Sequence, residues 1–199
     1  MRNRLLLGLL AAVTVSLSAC GINSIPTAEE NAKAKWADVQ SQYQRRADLI
    51  PNLVNSVRGF ADQERDVLTR VTEARANATR VTLSPDQLTD PAAMQRFAQA
   101  QGQLSAAILP LQRLQEAYPE LRSQENFMAL QSQLEGTENR IQIARRDYNA
   151  AVQAYNTEIR TFPGVIGARV IYGSQPMQPF QAEEGAQRAP TVDFGNRSR

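Results

Sequence analysis

The sequence predicts an all-α protein: an elongated antiparallel helical bundle with two long helices, one shorter helix and an irregular C-terminal tail. Three observations lead there. From Trp36 to Val81 two heptad series, Trp36-Tyr43-Ile50-Val57-Glu64-Val71-Ala78 and Val39-Arg46-Leu53-Phe60-Val67-Ala74-Val81, are apolar or aromatic at twelve of fourteen positions, the mark of a helix packed along another helix. A third heptad series, Phe127-Leu134-Ile141-Tyr148-Tyr155-Phe162, runs near the C-terminal end. After Phe162 the helical period stops, and Pro163, Gly164, Gly167, Gly173, Pro176 and Pro179 punctuate the rest of the chain.

The N-terminus reads as an export signal. Arg2 and Arg4 precede a short apolar run from Leu5 to Val15, too short for a membrane span of about 20 residues and typical of a secretory signal. Leu17-Ser18-Ala19-Cys20 has the Leu-small-small-Cys order that resembles the bacterial lipobox. Residues 1–19 are thus expected to be a cleaved signal peptide. Cys20 is expected to carry the lipid, palmitate included, that attaches the chain to a membrane. Cys20 is the one cysteine, so lipidation leaves no thiol for disulfide, metal or redox chemistry. Gly21 after the cysteine resembles the sorting pattern of outer-membrane lipoproteins facing the periplasm of two-membrane bacteria. Residues 20–26 are expected to form a lipidated tether.

The bundle is expected to occupy 27–162, with helices over about 27–81, 91–117 and 121–162. Thr27 and Glu30 have capping-box spacing. A helix over 27–81 would extend roughly 80 Å at about 1.5 Å per residue. Pro51 removes a backbone donor and crowds the carbonyl four residues earlier, so the helix is expected to kink near Asp48 to Pro51. Gly59 is expected at a close helix crossing. Ser84-Pro85 and Asp90-Pro91 place capping side chains before prolines. The second helix turns Met94, Phe97, Leu104, Ile108, Leu111 and Leu114 inward, bends at Pro110 and ends at Tyr118-Pro119. The third contains Tyr148-Asn149 and, one heptad on, Tyr155-Asn156, and is expected to run until Pro163 stops it. The tail, 163–199, is expected to be extended, with a short strand or turn at Val170 to Tyr172, and pinned by Phe180 and Phe194.

Composition narrows the function. The 22 basic residues against 20 acidic ones give a formal charge of +2. Loss of Arg2 and Arg4 with the signal leaves a neutral mature chain, which gives no reason to expect a nucleic-acid partner. The sequence has no histidine, so the commonest general base and zinc ligand are both missing. The only lysines, Lys33 and Lys35, lie beside the tether. The acid pairs Asp62/Asp66 and Glu135/Glu138 read as solvated helix faces paired with the abundant arginines, and no phosphate loop or EF-hand is present. No catalytic residue, metal or cofactor is expected.

The run from Gln42 to Val54, with Arg45-Arg46-Ala47-Asp48-Leu49-Ile50-Pro51-Asn52, resembles the first signature of the LemA family. Thr72-Glu73-Ala74-Arg75, Tyr118-Pro119-Glu120-Leu121, Glu138-Asn139-Arg140-Ile141, the Tyr-Asn repeat with Phe162-Pro163, and Phe180-Gln181-Ala182-Glu183 with Ala189-Pro190 continue the resemblance over about Asn31 to Phe194. It implies an all-helical bundle held to a bacterial envelope membrane by its N-terminus, without established enzymatic activity. Family members typically begin with a longer, transmembrane apolar segment, so the anchor here departs from the pattern.

Six residues are the candidate interaction set: Arg45, Arg46, Asp48, Asn52, Asn149 and Asn156. The first four make either a ligand or partner site at the kink or, for Arg46, an internal pair with a carboxylate such as Glu138. The tyrosines are expected in the core, and the asparagines either bond to the first helix or stay open to a partner. The sequence thus describes a non-catalytic envelope lipoprotein acting as a scaffold or interaction protein, through self-association or an envelope partner. The alternatives are a ligand receptor or enzyme at Arg45–Asn52, or a membrane-remodelling protein.

Overall fold

The computed structural model describes residues 23–58 and 64–181. Among them every regular element is helical: α1 (Ser24–Arg58), α2 (Arg65–Arg80), a 3₁₀ turn at Pro85–Thr89, α3 (Pro91–Ala117), a second such turn at Pro119–Ser123, and α4 (Glu125–Glu158). A single helical turn, α5 (Gly164–Gly167), then runs into a π turn at Ala168–Tyr172. The expected signal peptide, Cys20, Gly59, Phe60 and Phe194 lie outside the described residues.

The predicted first helix is two helices. Arg75 of α2 donates from Nε to the Ala47 carbonyl of α1 at 2.7 Å, and Trp36 Nε1 reaches the Leu83 carbonyl at 3.1 Å. The lower-numbered residue of α1 thus meets the higher-numbered partner, and α2 returns along α1 as a hairpin. The heptad pattern concealed this because both arms bury the same stripe against one core: Val57 and Val71, both wholly buried, stay in phase across the reversal. In place of a roughly 80 Å rod, α1 spans 35 residues, about 52 Å. Arg46–Glu138 and Trp36–Tyr148 contacts set α4 antiparallel to α1, while Tyr43–Phe97 and Arg46–Ser105 set α3 parallel to it. The result is an up-down-up-down bundle in which α1 pairs with α4 and α2 with α3.

Other boundaries move for local reasons. The first helix begins at Ser24, inside the expected tether, because Ile25 is buried in the core and Pro26 fits a first turn. The Thr27 hydroxyl donates back to the Asn23 carbonyl at 2.9 Å instead of capping a start at Thr27. The last long helix stops at Glu158, short of Phe162, and Phe162 leaves the heptad and lies 80% exposed. The expected strand or turn at Val170 to Tyr172 is the π turn, closed by Gly173 at φ 59°, a conformation glycine adopts without steric cost. From Gly173 the tail runs extended to Gln181 and packs on the bundle.

The helix continues through Pro51. Proline cannot donate to the Ala47 carbonyl, and Arg75 supplies the missing donor from the neighbouring helix. Arg75→Ala should therefore destabilise the bundle by about 1–3 kcal/mol by leaving a half-buried carbonyl unpaired. Adding Pro51→Ala to that variant should recover part of the loss, since residue 51 then has its own N–H to offer Ala47. Urea unfolding of the two single variants and the double variant measures this coupling; strictly additive changes would rule the substitution of donors out.

Candidate functional site

The structure divides the six candidates into three groups. Arg45, Asp48 and Asn52 lie on the exposed face of α1, where Asp48 accepts from Gln44 Nε2 at 2.8 Å. Arg46 points the other way and is 1% exposed. Asn149 and Asn156 face the C-terminal tail. The Arg45–Asn52 cluster is therefore not one constellation, and the Ala47 carbonyl that Pro51 leaves without a helix donor is held by Arg75.

Arg46 is the centre of a polar layer. Nη1 donates to Ser105 Oγ at 2.7 Å and Glu138 Oε1 at 2.8 Å, while Nη2 donates to the Gln101 carbonyl at 3.1 Å and Gln101 Oε1 at 2.8 Å. Gln101 Nε2 passes the connection to the Ala78 carbonyl at 3.2 Å. One guanidinium thereby links α1 to α3 and α4 directly and to α2 through Gln101. It also lies 5.0 Å from the centre of the Tyr43 ring. The layer separates two apolar cores. One contains Trp36, Phe97, Tyr148 and Phe180, and the other Ile50, Leu104, Phe127 and Leu134. Burial of a charge is tolerable only when it is well paired; here Nη1 and Nη2 make these four bonds while Nε is buried without a partner, and the 37% exposure of the Glu138 side chain keeps its carboxylate partly hydrated.

The asparagines choose neither expected partner. Asn149 donates from Nδ2 to the Phe180 carbonyl at 2.9 Å and accepts from the Phe180 N–H at 2.7 Å. Asn156 treats Met177 in the same way, at 2.8 and 2.9 Å. The tyrosine hydroxyls join them: Tyr148 donates to the Gln178 carbonyl at 2.9 Å and Tyr155 to the Gln175 carbonyl at 3.2 Å. On its other edge the tail donates from the Gln178 N–H to the Leu88 carbonyl at 2.8 Å. One heptad of helix advances about 10.5 Å, and three residues of extended chain advance about 10 Å, so the repeat matches the step from Met177 to Phe180. Pro176 and Pro179 favour the extended form and have no N–H to satisfy. The clue in the sequence was this three-residue Pro-x spacing set against the seven-residue Tyr-Asn spacing. Phe180 anchors the far end, stacked 6.2 Å from Tyr43 with Arg145 4.1 Å above its ring.

A cleft of about 410 Å³ beside α1 is lined by Gln40, Ser41, Tyr43, Gln44, Thr79 and Gln101 among others, with no acid, lysine or arginine in its wall. Among the described residues no group of three His, Cys, Asp or Glu side chains is placed to hold a metal ion, and no helix is long and apolar enough to cross a membrane.

A model of the LemA family matches residues 35–194. The chain belongs to the LemA family. The match takes in the Arg46 layer and the whole Tyr-Asn clamp. Among curated relatives, magnetosome proteins MamQ 1 and MamQ 2 of Paramagnetospirillum magneticum are each 26% identical over 157 residues, 71% of this chain and 58% of theirs. The magnetosome protein MamQ of Magnetospirillum gryphiswaldense is 25% identical over 173 residues, 79% of this chain and 63% of its own. This LemA chain thus spans less than two thirds of the length of these relatives.

Asn149→Ala and Asn156→Ala should each cost about 1–3 kcal/mol and raise hydrogen exchange at the Met177 and Phe180 amides, read by mass spectrometry, while α2 and α3 amides stay protected. The tyrosines add a pH test. Burial pushes the Tyr148 hydroxyl above the ordinary phenol range, and Tyr155 moves the same way for the same main reason. The unfolded chain loses these protons near pH 10 while the folded chain keeps them, so their contribution is complete below about pH 10 and declines above it. Tyr148→Phe should lower stability at neutral pH by about 1 kcal/mol and flatten the alkaline decline, as followed by urea midpoints from about pH 8 to 11.

Proposed function

We propose that this protein is a non-catalytic envelope lipoprotein whose helical bundle is a membrane-held scaffold. The observation that carries the reading is that the polar residues best suited to a site are engaged internally: Arg46 in the bundle's polar layer, Asn149 and Asn156 on the chain's own tail. What faces outward on α1, Arg45, Asp48 and Asn52, is a solvated helix surface suited to contact with a protein. Such contact would be self-association or docking of another envelope protein, with no part for nucleic acid. Similarity to proteins named for a cellular structure, the magnetosome, rather than for a reaction agrees with this role.

In this reading the anchor is the lipid on Cys20, the membrane is the outer one of a two-membrane bacterium, and the bundle faces the periplasm. The alternative, a small-ligand receptor or enzyme at Arg45–Asn52, is disfavoured by the inward turn of Arg46 and the occupation of the Ala47 carbonyl by Arg75.

Metabolic labelling with a palmitate analogue should mark the wild-type chain and leave Cys20→Ser unlabelled and unprocessed. Sucrose-gradient fractionation should place the wild-type chain with the outer membrane. Wild-type protein that matures without label would remove the lipid anchor from the account.

A further inference from the structure

Deepening that reading, on whose N-terminal anchor it partly rests, we propose that the end of the bundle formed by residues 162–172 is a lipid-binding cap that docks on a phospholipid surface. Five large apolar side chains are exposed within this stretch: Phe162 at 80%, Val170 at 79%, Ile171 at 58%, Ile166 at 56% and Tyr172 at 42%. Elsewhere among the described residues the exposed large apolar side chains, Leu109, Met128 and Ile143, are scattered singly, which is ordinary for a protein surface. A concentration of this kind marks an interaction site.

The cap is held, not loose. Gly164 packs so closely on the Glu158 carbonyl that a Cβ there would collide with it, and Gly164, Gly167 and Ala168 are buried beneath the exposed side chains. α5 also rests against α1. The apolar groups are thus presented outward on a fixed base.

Two features select a lipid surface as the occupant. The first is where the chain outside the structure joins it. The Ser24 hydroxyl bonds to Glu158 Oε1, at the foot of the cap. Cys20 is four residues before Ser24, which puts a lipidated Cys20 within about 14 Å of Ser24 even when fully extended. A membrane reached by that tether lies against this end of the molecule. The second is charge and chemistry. Exposed Arg160 and Arg169 flank the apolar group, suited to anionic headgroups, and Phe162 and Tyr172 supply aromatic rings that favour the interface between headgroup and acyl chain. Among the described residues, Glu158 at the foot of the cap accepts from Ser24, and Glu29 and Glu30 in the first turns of α1 are both paired with Lys33.

The test uses the full-length lipidated protein with vesicles of phosphatidylethanolamine and phosphatidylglycerol. An environment-sensitive dye is placed in turn on Phe162→Cys, Val170→Cys and Met128→Cys, the last at the opposite end of α4. Far-ultraviolet circular dichroism checks that each variant keeps its helices. On vesicles, the dyes at 162 and 170 should shift to the blue and be quenched by doxyl-labelled lipid several-fold more than the dye at 128. Bound protein with the 162 and 170 dyes as hydrated as the 128 dye would overturn the cap and leave the anchor standing. Failure to bind vesicles at all would overturn both. A blue shift without vesicles that grows with protein concentration would assign the patch to a second copy of the chain and overturn the lipid assignment.

Discussion

The fold depends on burying one guanidinium. Arg46 lies on a helix stripe that is otherwise apolar, and a charge on such a stripe must find partners or destabilise the fold by several kcal/mol. Here its partners come from the two other helices it faces, through the side chains of Ser105, Gln101 and Glu138 and the Gln101 carbonyl. Gln101 in turn holds the Ala78 carbonyl of α2. These bonds are directional, so they fix the relative height of all four helices, which apolar stripes alone leave free to slide. The apolar cores on either side are then packed in that register, one around Trp36 and Phe97, the other around Leu104 and Phe127.

A second directional device holds the tail. The two asparagines pair with main-chain N–H and carbonyl groups, so they recognise the extended backbone of the tail more than its side chains. The apolar contact is left to Met177 and Phe180, both buried. The buried aromatic cluster of Trp36, Tyr43, Phe97 and Tyr148 closes over Phe180, so the tail completes the core of this half. The same tail leads back through Gly173 to the apolar end near Ser24, so the clamp and the outward-facing cap are two parts of one C-terminal segment.

The helical class and the inward faces were legible because heptad spacing reports burial directly: Met94, Phe97, Leu104, Phe127, Leu134 and Ile141 are all in the core. The Arg46–Glu138 pair was legible for the converse reason, a charge on an apolar stripe with a carboxylate at a matching position. The hairpin between α1 and α2 was not legible, because a heptad repeat records which face is buried and is silent on whether the chain has turned round. Arg75 was missed because donors to a proline-freed carbonyl come from another helix. The Tyr-Asn repeat signalled a contact but did not name its occupant, since its match lies in a three-residue spacing within a tail that has no helical period. Phe162 was misplaced because the heptad count continued past Glu158, where the helix had already ended.

Arg46 and Glu138 act as one structural unit inside the bundle, and the rest of the packing is set by that unit. A double-mutant cycle in urea unfolding, with Arg46→Met, Glu138→Gln and the two together, measures it most directly. The double variant should be more stable than the sum of the single changes by at least about 1 kcal/mol, because removing the guanidinium removes the charge that Glu138 neutralises. Additivity within about 0.5 kcal/mol would mean that the two side chains do not depend on each other, and would leave Arg46 free to serve another purpose.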